Sequence, residues 1–389
     1  MTRWELLDIV EVVGGELVNP PNEDLFIEEF QQDSRKIERN SLFVPLIAER
    51  NGHDFIDKAK EAGAVASFWS ESLKDAPKDI PLIRVKDSLK ALQEMAAHYL
   101  NEVNPKVVAV TGSNGKTTTK DMVNKVLEAS YQTHKTAGNY NNEIGLPLTI
   151  LDMDSSTEIL ILEMGTSSPG EIEFLSKLTQ PDLAIVTMIG ESHIEAFGSR
   201  EELAKEKVSI RSALKENGLF IYPENEPLIK ENLLPSIRDK NFSITGKADL
   251  YAEDITEKIA STEFILIEKK TQKKIRMEIP IPGSYNVNNA LIAVLVGIEF
   301  GVSLEEAKKQ LARLKISKDR LEWVEGINQW SLLNDAYNAS PSSVRAVLTY
   351  FEKLEVEKEK VLVLGDILEL GEFSKVLHEG LADAIKLTS

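Results

Sequence analysis

The sequence predicts an α/β protein built around a parallel sheet with crossover helices, and three observations predict it. From Lys106 onward, short apolar segments alternate with amphipathic helical ones, the pattern of strand–helix–strand units. One of those apolar segments runs straight into a glycine-rich turn and another helix. The 389 residues, 42% hydrophobic and 28% charged, supply apolar material for roughly two or three domains, each with its own core.

Each element follows from local pattern. The first segment, residues 1–104, mixes strands (Leu42 to Leu46, Leu82 to Val85) with helices (Phe55 to Ala62, Ser88 to Leu100), and Asn104-Pro105 breaks the last helix. The second, 105–314, opens with a strand at Val107 to Thr111 and a helix reaching Ser130. A strand at Ile159 to Glu163, a helix over Glu171 to Leu178, a strand at Leu183 to Ile189 and a helix over Glu201 to Leu214 follow. Beyond Phe220 the pattern alternates with period two, in Glu263 to Lys269 and Lys274 to Ile279, until a helix at Val287 to Phe300. The third segment, 315–389, carries expected strands at Trp330 to Asn334 and Val361 to Gly365, and its charge cluster Glu352 to Lys360 reads as a solvated helix end and loop.

Composition narrows the partners. With 63 acidic and 45 basic residues the formal charge is -18, and no basic run is present to hold a phosphate backbone, so nucleic acid is not expected as a partner. The absence of cysteine excludes disulfides and thiolate metal sites and suits a reducing compartment. Trp4, Glu5, Asp8 and Glu11 interrupt the apolar residues of Met1 to Gly15 in a way no secretory segment tolerates. No apolar run approaches the roughly 20 residues that span a bilayer, so no membrane partner is expected. The expectation is a cytoplasmic protein, and a monomer.

The most informative stretch is Val107-Val-Ala-Val-Thr-Gly-Ser-Asn-Gly-Lys-Thr-Thr-Thr-Lys120. Gly112 and Gly115 let the backbone curl so that the amides of Ser113, Asn114 and their neighbours point at phosphate oxygens, and the helix that follows adds a favourable dipole. Lys116 supplies a point charge for the outer phosphates, and Thr117, followed by Thr118, offers a hydroxyl to magnesium. Val110 stands where the general G-x-x-x-x-G-K-[ST] pattern has its first glycine, so the loop is the shorter T-G-x-x-G-K-T form.

A magnesium–nucleotide site calls for a carboxylate at the end of a neighbouring buried strand, and Glu163 closes Ile159-Leu-Ile-Leu162, with Met164-Gly-Thr166 after it. His193 falls just past the C-terminal end of another expected strand, where open α/β sheets place their ligands. By composition alone, Lys207 in Glu202-Leu-Ala-Lys-Glu-Lys-Val208 is a solvated helix charge, and Asn139-Tyr-Asn-Asn142 is a turn.

Taken together, these residues resemble the Mur ligases. The resemblance is carried by Asp33-Ser-Arg35, Gly52-His-Asp-Phe55, Thr111 to Thr119, Gly138 to Leu148, Glu163-Met-Gly-Thr166 and His193 to Ser199. It continues through Asn286-Val-Asn-Asn289, Arg320-Leu-Glu322, Asn334-Asp-Ala-Tyr-Asn-Ala-Ser-Pro341 and Leu364-Gly-Asp366. It implies a three-domain architecture: a small α/β N-terminal domain for a UDP-sugar peptide, a central parallel-sheet phosphate-loop ATPase domain, and a Rossmann-like C-terminal domain that is shorter here than in the family. It implies ATP-dependent joining of D-alanyl-D-alanine to UDP-N-acetylmuramoyl-tripeptide. Two magnesium ions would be held by Thr117, Glu163, His193 and a carbamate on Lys207. It also implies that Asn286, Asn289, Arg320 and Asp335 contact the nucleotide, and that Ser34, Arg35, Asn139, Asn142, Thr166, Tyr337 and Asn338 contact substrates. Another amide ligase of the same superfamily, or a nucleotide-dependent switch that ligates nothing, are the competing expectations.

Overall fold

The computed structural model describes residues 3–233, 235–315, 320–327, 330–356 and 359–385. The chain divides into two compact units, Met1–Lys106 with His134–Leu160, and Val107–Thr133 with Ile161–Ser389.

The first unit holds a five-stranded sheet in the order Glu16–Val18, Leu82–Arg84, Ala64–Trp69, Ser41–Phe43, Glu29–Gln31. Only the Glu16–Val18 pairing is antiparallel. The strand expected to reach Leu46 stops at Phe43, two residues short of Pro45, which has no N–H to give a ladder. The expected helix from Phe55 starts at Ile56, after a 3-10 turn over Gly52–Phe55. The helix Ser88–Val103 shows how local chemistry sets an element. Asp87 Oδ1 accepts from Leu89 N at 2.8 Å and Lys90 N at 3.0 Å, which starts it. Ala91, Leu92, Met95, Ala96, Tyr99 and Leu100 recur on one buried face. Asn104 ends it in the left-handed region at φ 50, a conformation asparagine tolerates and one that the following proline favours over a further helical turn.

The large sheet orders nine described strands as Lys273–Ile279, Thr262–Glu268, Leu250–Glu257, Arg238–Ser243, Leu219–Pro223, Leu183–Val186, Lys106–Thr111, Ile159–Glu163 and Thr133–Lys135. The ladders from Lys106–Thr111 through Leu183–Val186 to Leu250–Glu257 are parallel, and those on to Thr262–Glu268 and Lys273–Ile279 are antiparallel. This is the parallel-dominated α/β sheet that the alternation predicts. The strands at its middle are buried on both faces and therefore read as unbroken apolar runs. The Leu183 strand ends at Val186, short of the expected Ile189, because from Thr187 the chain turns to line the glycine loop. The expected helix to Leu214 ends at Val208 and tightens into a 3-10 turn, Ser209–Arg211.

In the C-terminal segment, Glu322–Glu325 and Ser331–Asn334 form an antiparallel pair. The helix Pro341–Lys353 follows, opened by a Ser340 and Ser343 capping box. The strand expected at Val361 to Gly365 is not formed, and this is a correction. Val361 and Val363 are 69% and 87% exposed, and among the described residues no strand lies beside them. An apolar run becomes a strand only where a neighbouring edge takes its N–H and C=O groups. Of the expected loop at Glu352 to Lys360, residues 357–358 lie outside the described residues. Among the described residues no helix is long and apolar enough to cross a membrane.

Candidate active site

The strand Lys106–Thr111 delivers the chain to Gly112, whose φ of 147 and whose surroundings both require glycine. A Cβ there would lie 1.9 Å from Thr187 Oγ1. Gly115, at φ 81, caps the helix Lys116–Leu127, and a Cβ on it would meet Asn289 Oδ1 at 2.8 Å. The turn is therefore clamped between the next strand and the helix Tyr285–Glu299. Thr187 Oγ1 donates to Asn114 O at 2.5 Å, Gly190 N donates to Ser113 Oγ at 2.8 Å, and Thr119 Oγ1 donates to Asn289 Oδ1 at 3.1 Å. The Asn289 amide in turn donates to Asn286 Oδ1 at 3.0 Å, and Asn286 donates to Pro282 O at 2.8 Å. Both asparagines are buried, and they brace the loop.

Cations gather around this cradle. Lys116 curls back to donate to Gly112 O at 2.8 Å, the pose that places an ammonium over a ring of backbone groups. Its pKa is lowered by lost hydration, with Glu163 opposing the shift and Arg320 adding to it. Arg320 donates to Thr117 Oγ1 at 3.2 Å and lies 4.4 Å over the Tyr337 ring. Asp335 Oδ1 accepts from Leu321 N at 3.1 Å, and burial raises its pKa against the pull of that N–H and of Arg320.

Lys207 corrects the reading from composition. It is 1% exposed, makes no hydrogen bond or ion pair with another described residue, and its pKa is pushed well below the ordinary lysine value by burial, then by Lys116, with Glu206 opposing. Sequence patterning could not show this, because the helix Arg200–Val208 has no clear apolar stripe and Lys207 reads like Lys205 two places before it.

Glu163 ends its strand 3% exposed, 3.9 Å from the buried ammonium of Lys120. His193, at φ 64, sets its Nδ1 2.5 Å from Glu369 Oε2. Burial lowers its pKa, Glu369 opposes this, and Lys116 and Lys207 lower it further. Lys116, Glu163, His193, Lys207, Arg320 and Thr117 are thus drawn into one neighbourhood by electrostatics or direct contact.

Two residues here, Glu206 and Glu191, have no mark in the sequence. Glu206 is 8% exposed and accepts from Gly170 N at 2.7 Å and Ile172 N at 2.8 Å, with the Thr166 hydroxyl at 3.4 Å. Thr166 Oγ1 also donates to Ser168 O at 2.9 Å. Glu191 keeps one carboxylate oxygen buried without a hydrogen bond among the described residues. Asn114 donates to Ser340 Oγ at 2.9 Å and Ser342 Oγ at 3.1 Å, tying the loop to the start of the helix Pro341–Lys353. Near it, Asn338 accepts from Ala339 N at 2.9 Å, and Tyr337 is 52% exposed. Thr118 sits in the first turn of the loop helix.

The remaining candidates belong to the first unit. Arg35 pairs bidentately with Asp33 at 2.9 and 2.8 Å, and this arginine holds the Asp33 carboxyl at about 2. Beside Ser34 and Arg35, Lys36 donates to Tyr140 OH at 3.2 Å and joins that loop to Asn139–Asn142. Asn142 Oδ1 accepts from Gly145 N at 2.9 Å, just before the helix Gly145–Leu151. His53 is buried; Ser70 N donates to its Nε2 at 3.2 Å, which leaves Nδ1–H to donate to Asn51 Oδ1 at 2.9 Å.

The donor set fits a metal-bound nucleotide. A glycine turn at a helix N-terminus with Lys116 and Arg320 against it matches a polyphosphate. Among the described residues no group of three or more histidines and carboxylates could hold a metal alone, so a cation would draw on Thr117, Glu163, phosphate oxygens and water.

Strand, glycine turn, helix and convergent cations define a phosphate-loop nucleotide-using enzyme. Residues 110–297 match the Mur ligase middle domain, and 319–389 match the Mur ligase glutamate ligase domain. The chain is 44% identical to the UDP-N-acetylmuramoyl-tripeptide--D-alanyl-D-alanine ligase of Bacillus subtilis, over 97% of this chain and 82% of that protein. It is 35% identical to the ligase of the same name from Escherichia coli, over 99% and 84%. Among solved structures it resembles MurF from Acinetobacter baumannii, at TM-score 0.89 and 29% identity over 100% of this chain and 84% of that one. It also resembles MurF from Thermotoga maritima in complex with ADP, at 0.82 and 29% over 92% and 82%. The chain belongs to the Mur ligase family, ATP-dependent, ADP-forming ligases that work with a divalent metal.

Proposed function

We propose that this chain joins the amine of D-alanyl-D-alanine to the terminal carboxylate of UDP-N-acetylmuramoyl-tripeptide, using ATP, in peptidoglycan precursor synthesis. The relatives' shared name supports the substrates. The observation that carries the chemistry is the cation-lined backbone cradle at Gly112 to Thr117 with Glu163 beside it. A carboxylate is a poor electrophile, so the γ-phosphoryl group first moves onto it, giving an acyl phosphate. The amine then attacks, and amide, ADP and phosphate leave.

In this reading the amides of Gly112, Asn114 and Gly115, with Thr118 on the first helical turn, orient the phosphates, and Ser113, whose N–H donates to Met188 O at 3.0 Å, shapes the turn. Lys116 and Arg320 neutralise charge that spreads over the transferring oxygens. Thr117, Glu163 and His193 would hold up to two magnesium ions, whose contribution is Lewis-acid neutralisation of that charge. Burial, with Lys116 nearby, lowers the pKa of Lys207, and a buried amine with a lowered pKa suits reaction with carbon dioxide to a carbamate, which would add two anionic oxygens to the set. Asn286, Asn289 and Asp335 support the nucleotide, while Ser34, Arg35, Asn139, Asn142, Thr166, Tyr337 and Asn338 serve the substrates. Residues 1–104, 105–314 and 315–389 act as UDP-sugar-peptide, ATP and ligase domains of a cytoplasmic monomer.

Phosphate release tests this. It should require both the UDP-linked tripeptide and D-alanyl-D-alanine; release indifferent to them indicates a nucleotide switch. A panel replacing the dipeptide with lysine, diaminopimelate or glutamate should give no product, and turnover with one of those amines would assign a different ligase of the family.

A further inference from the structure

His193 is held by a partner from a distant part of the chain. Its Nδ1 lies 2.5 Å from Glu369 Oε2, and Glu195 N donates to the Glu369 carbonyl at 3.3 Å. Glu369 and His193 both adopt left-handed backbone, φ 59 and φ 64, which non-glycine residues rarely do without a constraint. The constraint is visible: Ile367, Leu370 and Leu381 pack with Ile194, and Val344, Phe373 and Leu377 close over them. An apolar cluster thus seats residues 367–373 on the short helix Ile194–Phe197, and the His193–Glu369 contact sits at its edge.

We propose that Glu369 is a positioning residue for His193: by accepting the Nδ1 hydrogen it selects the tautomer in which Nε2 is the basic nitrogen, available to the divalent cation. Imidazole ligands to metals are commonly oriented by a carboxylate in this way, and loss of that carboxylate weakens metal affinity or activity about 10–100-fold. The C-terminal segment therefore completes the site by setting a group on the nucleotide unit's own loop as well as by adding Arg320. This inference rests on the reading above that His193 serves the metal.

The first experiment needs no turnover. Long-range proton–nitrogen spectra of histidine-labelled protein at pH 8 resolve the ring nitrogens of five histidines, with His193 assigned by its loss in His193→Gln. Wild type should show Nδ1 protonated and Nε2 bare, and Glu369→Ala should shift His193 toward the Nε2–H form. A wild-type Nε2–H ring, or an unchanged ring in the alanine variant, overturns the proposal.

The second measurement is the magnesium dependence of phosphate release. Glu369→Ala should raise the half-saturating magnesium about tenfold or more while KM for the tripeptide substrate stays unchanged. Glu369→Asp should recover part of the loss, and an exposed neighbour variant, Glu372→Ala, should show none. Equal magnesium dependence in wild type and Glu369→Ala also overturns the proposal. Should Glu369→Ala fail to fold, Glu369→Leu, which keeps bulk but has no acceptor, takes its place in both measurements and the wild-type spectrum still decides. If wild type does not ligate at all, the proposed function fails, while the tautomer result reports on Glu369 separately.

Discussion

Lys116 shows how much one side chain can hold. Its ammonium rests on Gly112 O, within the influence of Glu163 and Arg320, so it meets phosphate charge without first moving far. Lys116→Ala should cost at least about 3 kcal/mol of transition-state stabilisation, a hundredfold or more in kcat/KM. A near-normal rate in steady-state assays would count against the site. His53 gives a pH prediction for the first unit. Burial lowers its pKa from the ordinary 6.5, against weaker opposing pulls from Glu71 and Asp54, so the folded state binds the proton less readily than the unfolded chain. Stability from His53 is complete above pH 6.5 and declines as pH falls below it. Urea melts at pH 7.5 and 5.5 should show a smaller loss in His53→Gln than in wild type.

Elements are placed by caps and by buried acids. Asp87 and Ser340 start their helices by side-chain acceptance, and each is legible as a polar residue before an apolar stripe. Glu206 does the same work invisibly, because it reaches across to Gly170 N and Ile172 N at the start of another helix, Glu171–Thr179. Glu206→Ala leaves two backbone donors without their acceptor and should destabilise the nucleotide unit by about 2 kcal/mol or more, with Glu206→Gln milder. The midpoint of denaturant unfolding measures it, and an unmoved midpoint would show that water satisfies those donors. The apolar run at Val361 to Leu364 makes the opposite point. Its composition suits a strand, but a ladder is a property of two segments, and only one is at hand among the described residues.

Within the nucleotide unit, the loop and the C-terminal segment are joined by Asn114 to Ser340 and Ser342, by Arg320 to Thr117 and by Glu369 to His193. Asn114→Ala should speed amide hydrogen exchange in the first turn of the helix Pro341–Lys353 several-fold, and unchanged exchange would show that this tie holds nothing. Much was legible beforehand. Glycines at 112 and 115, a lysine and threonine opening a helix, and an acid closing an apolar strand are short-range patterns, and the sequence by itself determined them because backbone conformation and periodicity are set over a few residues. Only the tertiary structure decided that Lys207 is buried with no ion pair among the described residues, that Asn286 and Asn289 brace the loop, and that Glu369 faces His193. Each depends on which distant segment removes water from a side chain or offers it a charge, and desolvation and pairing across the fold leave no trace in local spacing.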